Sequence, residues 1–258
     1  QALCSQISDR RIITYGLSSN ADLRAQNIEI GPDGSKFDLV LNQPIFESRV
    51  IPNICISMPG NHNVQNALAA FLVGLELGVD EKIIIDSLKS FAGVKRRFSI
   101  TGIINNIKII DDYAHHPVEI KSALSAARSV TSGKVIAIMQ PHRYSRLRDL
   151  FDDFCVSFND ADIVIISDVY EAGENPILGV NKDTLIKGIC DHGHRNVLPL
   201  NDYEELPSII NDLAKSNDSV IFLGAGSISQ WANDLPAQIS NLSKNTSNSR
   251  IGVNFESK

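Results

Sequence analysis

The apolar residues of this chain change their spacing twice. Up to residue 57 they fall in short runs, at 12–15, 27–30, 36–41 and 49–57, each of strand length and bounded by turn residues. Gly31-Pro32-Asp33-Gly34, between the second and third runs, is a tight-turn signal. From residue 64 the period becomes helical. Val64, Leu68, Phe71, Leu72 and Leu75 lie on one face, and Gly78 is placed to close the helix. Asp80 is placed to cap a second helix running to Phe91. Residues 92–98 carry Gly93 and the basic triplet Lys95-Arg96-Arg97, and read as a linker between domains. Beyond them, strand-length apolar runs at 107–110, 134–139, 162–166, 196–200 and 219–223 alternate with helical stretches near 117–130, 146–159, 182–190 and 203–216. That alternation predicts an α/β domain with a mostly parallel, doubly wound sheet. From Ser240 the chain is rich in Asn and Ser with little to bury, and a flexible tail is expected.

The polar residues then acquire a place. DDYAHH, QPHRYSR, DVYEAGE and GAGS each follow a strand run, and parallel strands put all four loops on one edge, where open α/β sheets bind ligands. Composition narrows the partners. With 43% hydrophobic and 21% charged residues in 258, the chain is an ordinary globular protein large enough for one or two cores. A net charge of -6 argues against a general nucleic-acid surface. No run approaches the roughly 18 apolar residues of a membrane span, and the first residues do not form a signal peptide. Cys4, Cys55, Cys155 and Cys190 have no close-spaced pair, so a zinc knuckle or redox motif is not expected and a reducing cytoplasm is the simplest setting. Gln1 in place of an initiating Met leads us to expect sequence upstream.

Several candidates have a plain reading beside a functional one. Asn63 and Asn66, with His62 beside them, stand at a helix start, where Asn caps; their amides also suit an adenine edge. Lys95-Arg96-Arg97 is either a solvated charged stretch or a phosphate contact from the linker. His115 and His116, with Asp112 and His142, raise a metal site, but no HExxH or HxH spacing supports it, and His116 also fits as the cap of a helix begun by Pro117. Arg143 and Arg146 are either surface cations or a clamp for a carboxylate. Gly224-Ala225-Gly226-Ser227 lacks a full GxGxxG, so a tight strand–helix turn outweighs a phosphate cradle.

DDYAHHP (111–117), MPGNHNVQNALAA (58–70), GVKRRF (93–98) and QPHRYSRLRDLF (140–151) together resemble the Mur ligases, with four blocks in the family's order over roughly residues 10–230. The resemblance implies an ATP-dependent amide ligase of peptidoglycan synthesis, in the branch joining L-alanine to UDP-N-acetylmuramic acid through an acyl phosphate. It implies the end of a central ATP-binding domain at 1–98, a Rossmann-like amino-acid-binding domain at 99–239, and the tail. Adenine would meet Asn63 and Asn66, ribose Asp112, and the ATP phosphates Arg97. Tyr113, His115, Arg143 and Arg146 would bind L-alanine, with His115, Arg143 and Arg146 as the catalytic set. No role follows for Asp168, Tyr170 or Glu174. The family's GTxGK[ST] phosphate loop is absent from these residues, as are the acid and histidine that hold Mg2+. A partial first domain should leave strands without partners and expose apolar surface. Two alternatives stay open: a related ligase joining an intact tripeptide to the same UDP-sugar, and a non-catalytic ligand-binding fragment.

Overall fold

A computed structural model describes residues 9–251, with side chains described from 9 to 242. The chain divides into two compact units, residues 1–93 and 94–258.

The first unit is a four-stranded sheet in the order β1 (Tyr15–Gly16), β2 (Leu23–Gly31), β3 (Gly34–Leu41), β4 (Arg49–Ile56), followed by α1 (Asn61–Glu76) and α2 (Glu81–Ser90). Strand β1 runs parallel to β2, and β2, β3 and β4 are antiparallel. Pro32 and Asp33 make the two-residue hairpin loop, with Gly31 opposite Gly34. Gly34 has φ of 129°, and a Cβ there would lie 2.0 Å from the Ile56 carbonyl oxygen, so only glycine fits. Asp80 caps α2, its carboxylate accepting from the amides of Lys82 and Ile83. Leu23, Phe37, Leu39 and Ile54 pack against Val64, Leu68 and Phe71 of α1. The strands expected to lack partners are therefore paired and carry a core. Val50, Val73, Leu77, Ile83 and Phe91 remain exposed.

In the second unit the sheet order is β5 (Ser99–Ile104), β6 (Ile107–Asp112), β10 (Ser219–Leu223), β7 (Val135–Met139), β8 (Ile163–Ile166), β9 (Val197–Pro199). β6 to β10 are all parallel; β5 is an antiparallel edge strand. Alternate strand residues serve opposite faces, as the pleat requires. Ile110, Ala137, Met139, Val164 and Ile221 pack with α3 (Pro117–Ser129), α4 (Tyr144–Asp149), α5 (Phe151–Cys155) and α6 (Lys182–Asp191). Ile109, Ile136, Ile138, Ile165 and Phe222 pack with α7 (Leu206–Leu213) and α8 (Ile228–Ile251). Helices on both faces make this the doubly wound arrangement that the alternation predicted.

Three local expectations are corrected. The stretch read as one helix over 146–159 breaks at Leu150 into α4 and α5, where φ is -120°. Strand β5 was not foreseen; Asn105 and Asn106, with φ of 50° and 62°, turn it back from β6. Helix α8 continues past Ser240 to Ile251, so the tail does not begin there; residues 252–258 lie outside the described residues, as does Cys4. Cys55, Cys155 and Cys190 are free thiols. No helix among the described residues is long and apolar enough to cross a membrane.

Candidate functional site

In register, Asp112, Leu223, Met139 and Ile166 form one line across the carboxyl ends of β6, β10, β7 and β8. Tyr113, Gln140, Ser167 and Gly224 follow that line directly, so the loops carrying DDYAHH, QPHRYSR, DVYEAGE and GAGS share one edge. β10 returns to the middle of the sheet between β6 and β7, which makes the crevice there a topological switch point.

Tyr113 and His115 stand in the loop after β6. Their rings meet edge to face at 5.1 Å. His115 Nδ1 lies 2.9 Å from the Tyr113 carbonyl oxygen. A carbonyl only accepts, so Nδ1 carries the hydrogen and, in the neutral ring, Nε2 keeps the lone pair. Glu119, on the first turn of α3, accepts from the amides of His115 and His116. Burial works against its charge, but these bonds together with the charges of His115 and Arg97 outweigh it and hold the carboxyl below the usual range. His116 caps α3, its Nδ1 accepting from the Val118 amide. Its side chain has the plain role.

His142 follows β7, 6.0 Å from His115 between ring centres. Arg146, one turn along α4, donates to the His142 carbonyl at 3.2 Å and lies 3.4 Å from its Nδ1. Burial, then the charges of Arg146, His115 and Arg143, push the His142 pKa down, so this ring stays neutral at pH 7. Arg143 is exposed at the cap position of α4 with φ of 73°, a left-handed backbone unusual for a side chain of its size. The structure thus brings Tyr113, His115, Arg143 and Arg146 to the same edge, from two different strands.

The DVYEAGE loop, left without a role by the sequence, supports this cluster. Tyr170 stacks on His142 at 5.3 Å and 14°, and its backbone bonds to Pro141 and Arg143. Both Glu174 oxygens accept from Ser145, through its amide at 2.9 Å and hydroxyl at 2.6 Å, which fixes the start of α4 between the two arginines. Asp168 pairs with Lys182 at 3.1 Å. Beside Tyr170 opens a cleft of about 720 Å³ lined by Asp168, Tyr170, Asn201, Asp202, Tyr203 and Trp231, which sequence reasoning did not anticipate. The glycines of GAGS serve close packing. A Cβ on Gly226 would come within 2.5 Å of Gln140 Oε1 and 2.6 Å of the Tyr170 ring.

The nucleotide candidates divide between the two units. Arg97 is exposed, its guanidinium 5.6 Å from the Tyr113 ring centre. Asp112 is buried, its two oxygens accepting from the amides of Phe98 and Ala114, each at 2.8 Å. Burial outweighs those bonds and pushes its carboxyl up to about 6. A ribose would have to use a remaining lone pair on this buried group. Asp111, also buried, bonds the Ser229 hydroxyl. Asn63 and Asn66 belong to the first unit. The Asn63 amide is buried and donates to the Pro59 carbonyl at 2.8 Å, while Asn66 is exposed on α1. Among the described residues no three His, Cys, Asp or Glu side chains form a group that could hold a metal ion, so His115, His116, His142 and Asp112 do not assemble one.

Comparison with known proteins meets this geometry at both units. Residues 96–226 match the family model described as Mur ligase, glutamate ligase domain, and residues 3–74 match the Mur ligase middle domain. The chain belongs to the Mur ligase family. Among curated Mur ligases, it is 52% identical over 240 residues to the UDP-N-acetylmuramate–L-alanine ligase of Rhodospirillum rubrum, covering 93% of this chain and 50% of that protein. It is 49% identical over 243 residues to the enzyme of the same name from Phenylobacterium zucineum, covering 94% and 51%. The chain therefore spans about half the length of the curated relatives it matches. Of solved structures, the UDP-N-acetylmuramate-alanine ligase of Thermotoga maritima superposes with a TM-score of 0.73 at 26% identity, over 93% of this chain and 50% of that one. The Mur ligase relationship accounts for the α/β fold of the second unit.

Proposed function

We propose that this chain supplies the amino-acid-binding part of an ATP-dependent ligase that joins L-alanine to UDP-N-acetylmuramic acid in peptidoglycan synthesis. The carrying observation is the convergence of Tyr113, His115, His142, Arg143 and Arg146 on one sheet edge, in a chain about half identical to relatives named for that reaction.

In this reading ATP transfers its γ-phosphoryl group to the sugar carboxylate, giving an acyl phosphate. The amine of alanine attacks the acyl carbon, and phosphate leaves. Such a reaction depends on positioning and charge neutralisation rather than on a covalent enzyme intermediate. Arg146 and Arg143 offer guanidinium forks to the alanine carboxylate, a geometry that favours paired hydrogen bonds. His115, with Nδ1 committed to the Tyr113 carbonyl, keeps Nε2 to accept a proton from the attacking amine. His142, held neutral, adds no positive charge against an ammonium group. Arg97 is assigned to the ATP phosphates, Asp112 to the ribose, and Asn63 and Asn66 to adenine. These rest on the motif match. Domain limits of 1–98 for the ATP-binding part and 99–239 for the amino-acid-binding part belong to the same proposal. ATP chemistry of this kind uses Mg2+, and among the described residues no group of three His, Cys, Asp or Glu side chains is placed to hold it.

Isothermal titration of the chain with L-alanine tests the reading. Arg146→Ala should weaken L-alanine binding by about tenfold to a hundredfold, the loss of a charge-assisted hydrogen bond worth about 1.5–3 kcal/mol. Equal affinity in wild type and variant would remove Arg146 from the clamp. Glycine should bind more weakly by the worth of one methyl, about 1–3 kcal/mol. Since these 258 residues contain no GTxGK[ST] loop, we expect no alanine-dependent phosphate release from this polypeptide with ATP, Mg2+ and the UDP-sugar. A coupled phosphate assay decides that point.

A further inference from the structure

The contacts around the alanine pocket close into a ring through a residue with no assigned role. The guanidinium of Arg96 lies 4.6 Å over the Tyr113 ring. Tyr113 meets His115 at 5.1 Å, His115 faces His142 at 6.0 Å, and His142 stacks on Tyr170 at 5.3 Å. Tyr170 packs so closely on Gly226 that a Cβ there would sit 2.6 Å from its Cγ. The circuit returns to Arg96, whose Nη2 donates to the Gly226 carbonyl at 3.3 Å and to the Gly224 carbonyl at 2.9 Å.

We infer that Arg96 is a positioning residue, setting Tyr113 and His115 from one side of the pocket and, through Gly226 and Tyr170, His142 from the other. Only a planar cation does both. Its face lies on an aromatic ring while its edge donates to carbonyls. The backbone is held as firmly. The Arg96 carbonyl accepts from the Tyr113 amide at 2.7 Å, and its φ of 64° places a non-glycine residue in the left-handed region. Such a conformation persists where surrounding contacts over-determine it. Its Nε is buried with no hydrogen-bond partner, a cost the arrangement tolerates. Arg97, the cation that the motif singles out, is farther from the same ring. The inference rests on the proposed function only in naming the pocket's ligand, since the ring of contacts exists without it.

Side-chain NMR of Tyr and His residues in the 258-residue chain tests it, first without ligand and then with L-alanine. Arg96→Ala should shift the resonances of Tyr113, His115 and His142. It should leave those of His194, which is bound to the Ala161 carbonyl away from this edge, in place. Arg96→Lys keeps the charge but loses the fork, and should restore the Tyr113 shift more than the His142 shift. Gly226→Ala should disturb Tyr170, His142 and then His115 from the opposite side, so the ring is read even if Arg96→Ala does not fold. With L-alanine, the dissociation constant should rise about tenfold in Arg96→Ala, equivalent to about 1.4 kcal/mol. If the wild-type chain binds no alanine while the rings still move in Arg96→Ala, the alanine assignment fails and the positioning role stands. Tyr113 and His115 resonances that overlay the wild type in both Arg96→Ala and Gly226→Ala would overturn it.

Discussion

Asp112→Asn should change the pH dependence of stability more than stability itself. The wild-type carboxyl is buried at 4% exposure, and its pKa rises from 3.8 to about 6, burial exceeding the opposing effect of the Phe98 and Ala114 amides. Because the folded value is above the unfolded one, the contribution is fully present below pH 3.8, is lost as pH rises, and is gone above about 6. A little over two pH units corresponds to about 3 kcal/mol. Between pH 4 and 7.5, where the unfolded group is already partly ionised at the start, about 2.5 kcal/mol of that should be visible. Asparagine does not titrate. It keeps one acceptor for one amide and turns its NH2 toward the other, a pH-independent cost of about 1–3 kcal/mol. The variant should therefore be less stable than wild type at pH 4 and close to it at pH 7.5. Urea unfolding read by Trp231, the one tryptophan of the chain, which stacks on Tyr203 at 5.2 Å, reports on the unit that holds Asp112. A wild-type-minus-variant difference that stays flat from pH 4 to 7.5 would show that the two amide bonds cancel the burial, and the reasoning would fail.

Two further substitutions probe the scaffold and the support of the site. Phe222→Ala, fully buried in the central strand β10 against α7 and α8, should cost about 3–5 kcal/mol in the same urea assay. A loss below about 1 kcal/mol would mean that the face collapses around the cavity. Glu174→Ala removes both bonds to Ser145, so Arg143 and Arg146 should hold L-alanine more weakly while the Trp231 unfolding curve stays near wild type; unchanged titration would separate the α4 cap from the pocket.

The strands of the second unit were legible because parallel strands buried on both faces read as unbroken apolar runs, as in Ile163–Ile166 and Val135–Met139. Once their order of alternation was read, the shared edge of DDYAHH, QPHRYSR, DVYEAGE and GAGS followed from the pleat and the direction of the chain. β5 was not legible for the converse reason. It is an edge strand that leaves Ile100 and Ile103 exposed, and Gly102, against Pro236, interrupts its pattern. The stretch over 146–159 keeps a helical period across Leu150, and period does not register the break there.

Site chemistry was harder to read because hydrogen-bond partners distant in sequence leave no local trace. In DDYAHHP both carboxylates are alike on paper. In the fold each is buried, Asp112 bonded to backbone amides and Asp111 to Ser229, more than a hundred residues away. Arg96 and Arg97 differ only by one step along the chain. A left-handed turn at Arg96 sends the first to the GAGS loop and leaves the second exposed. The motif resemblance points to Arg97. It cannot point to Arg96, whose partners are the carbonyls of Gly224 and Gly226 and a ring face. Those partners are backbone and aromatic groups that many sequences could supply, so the role belongs to the geometry and not to the motif.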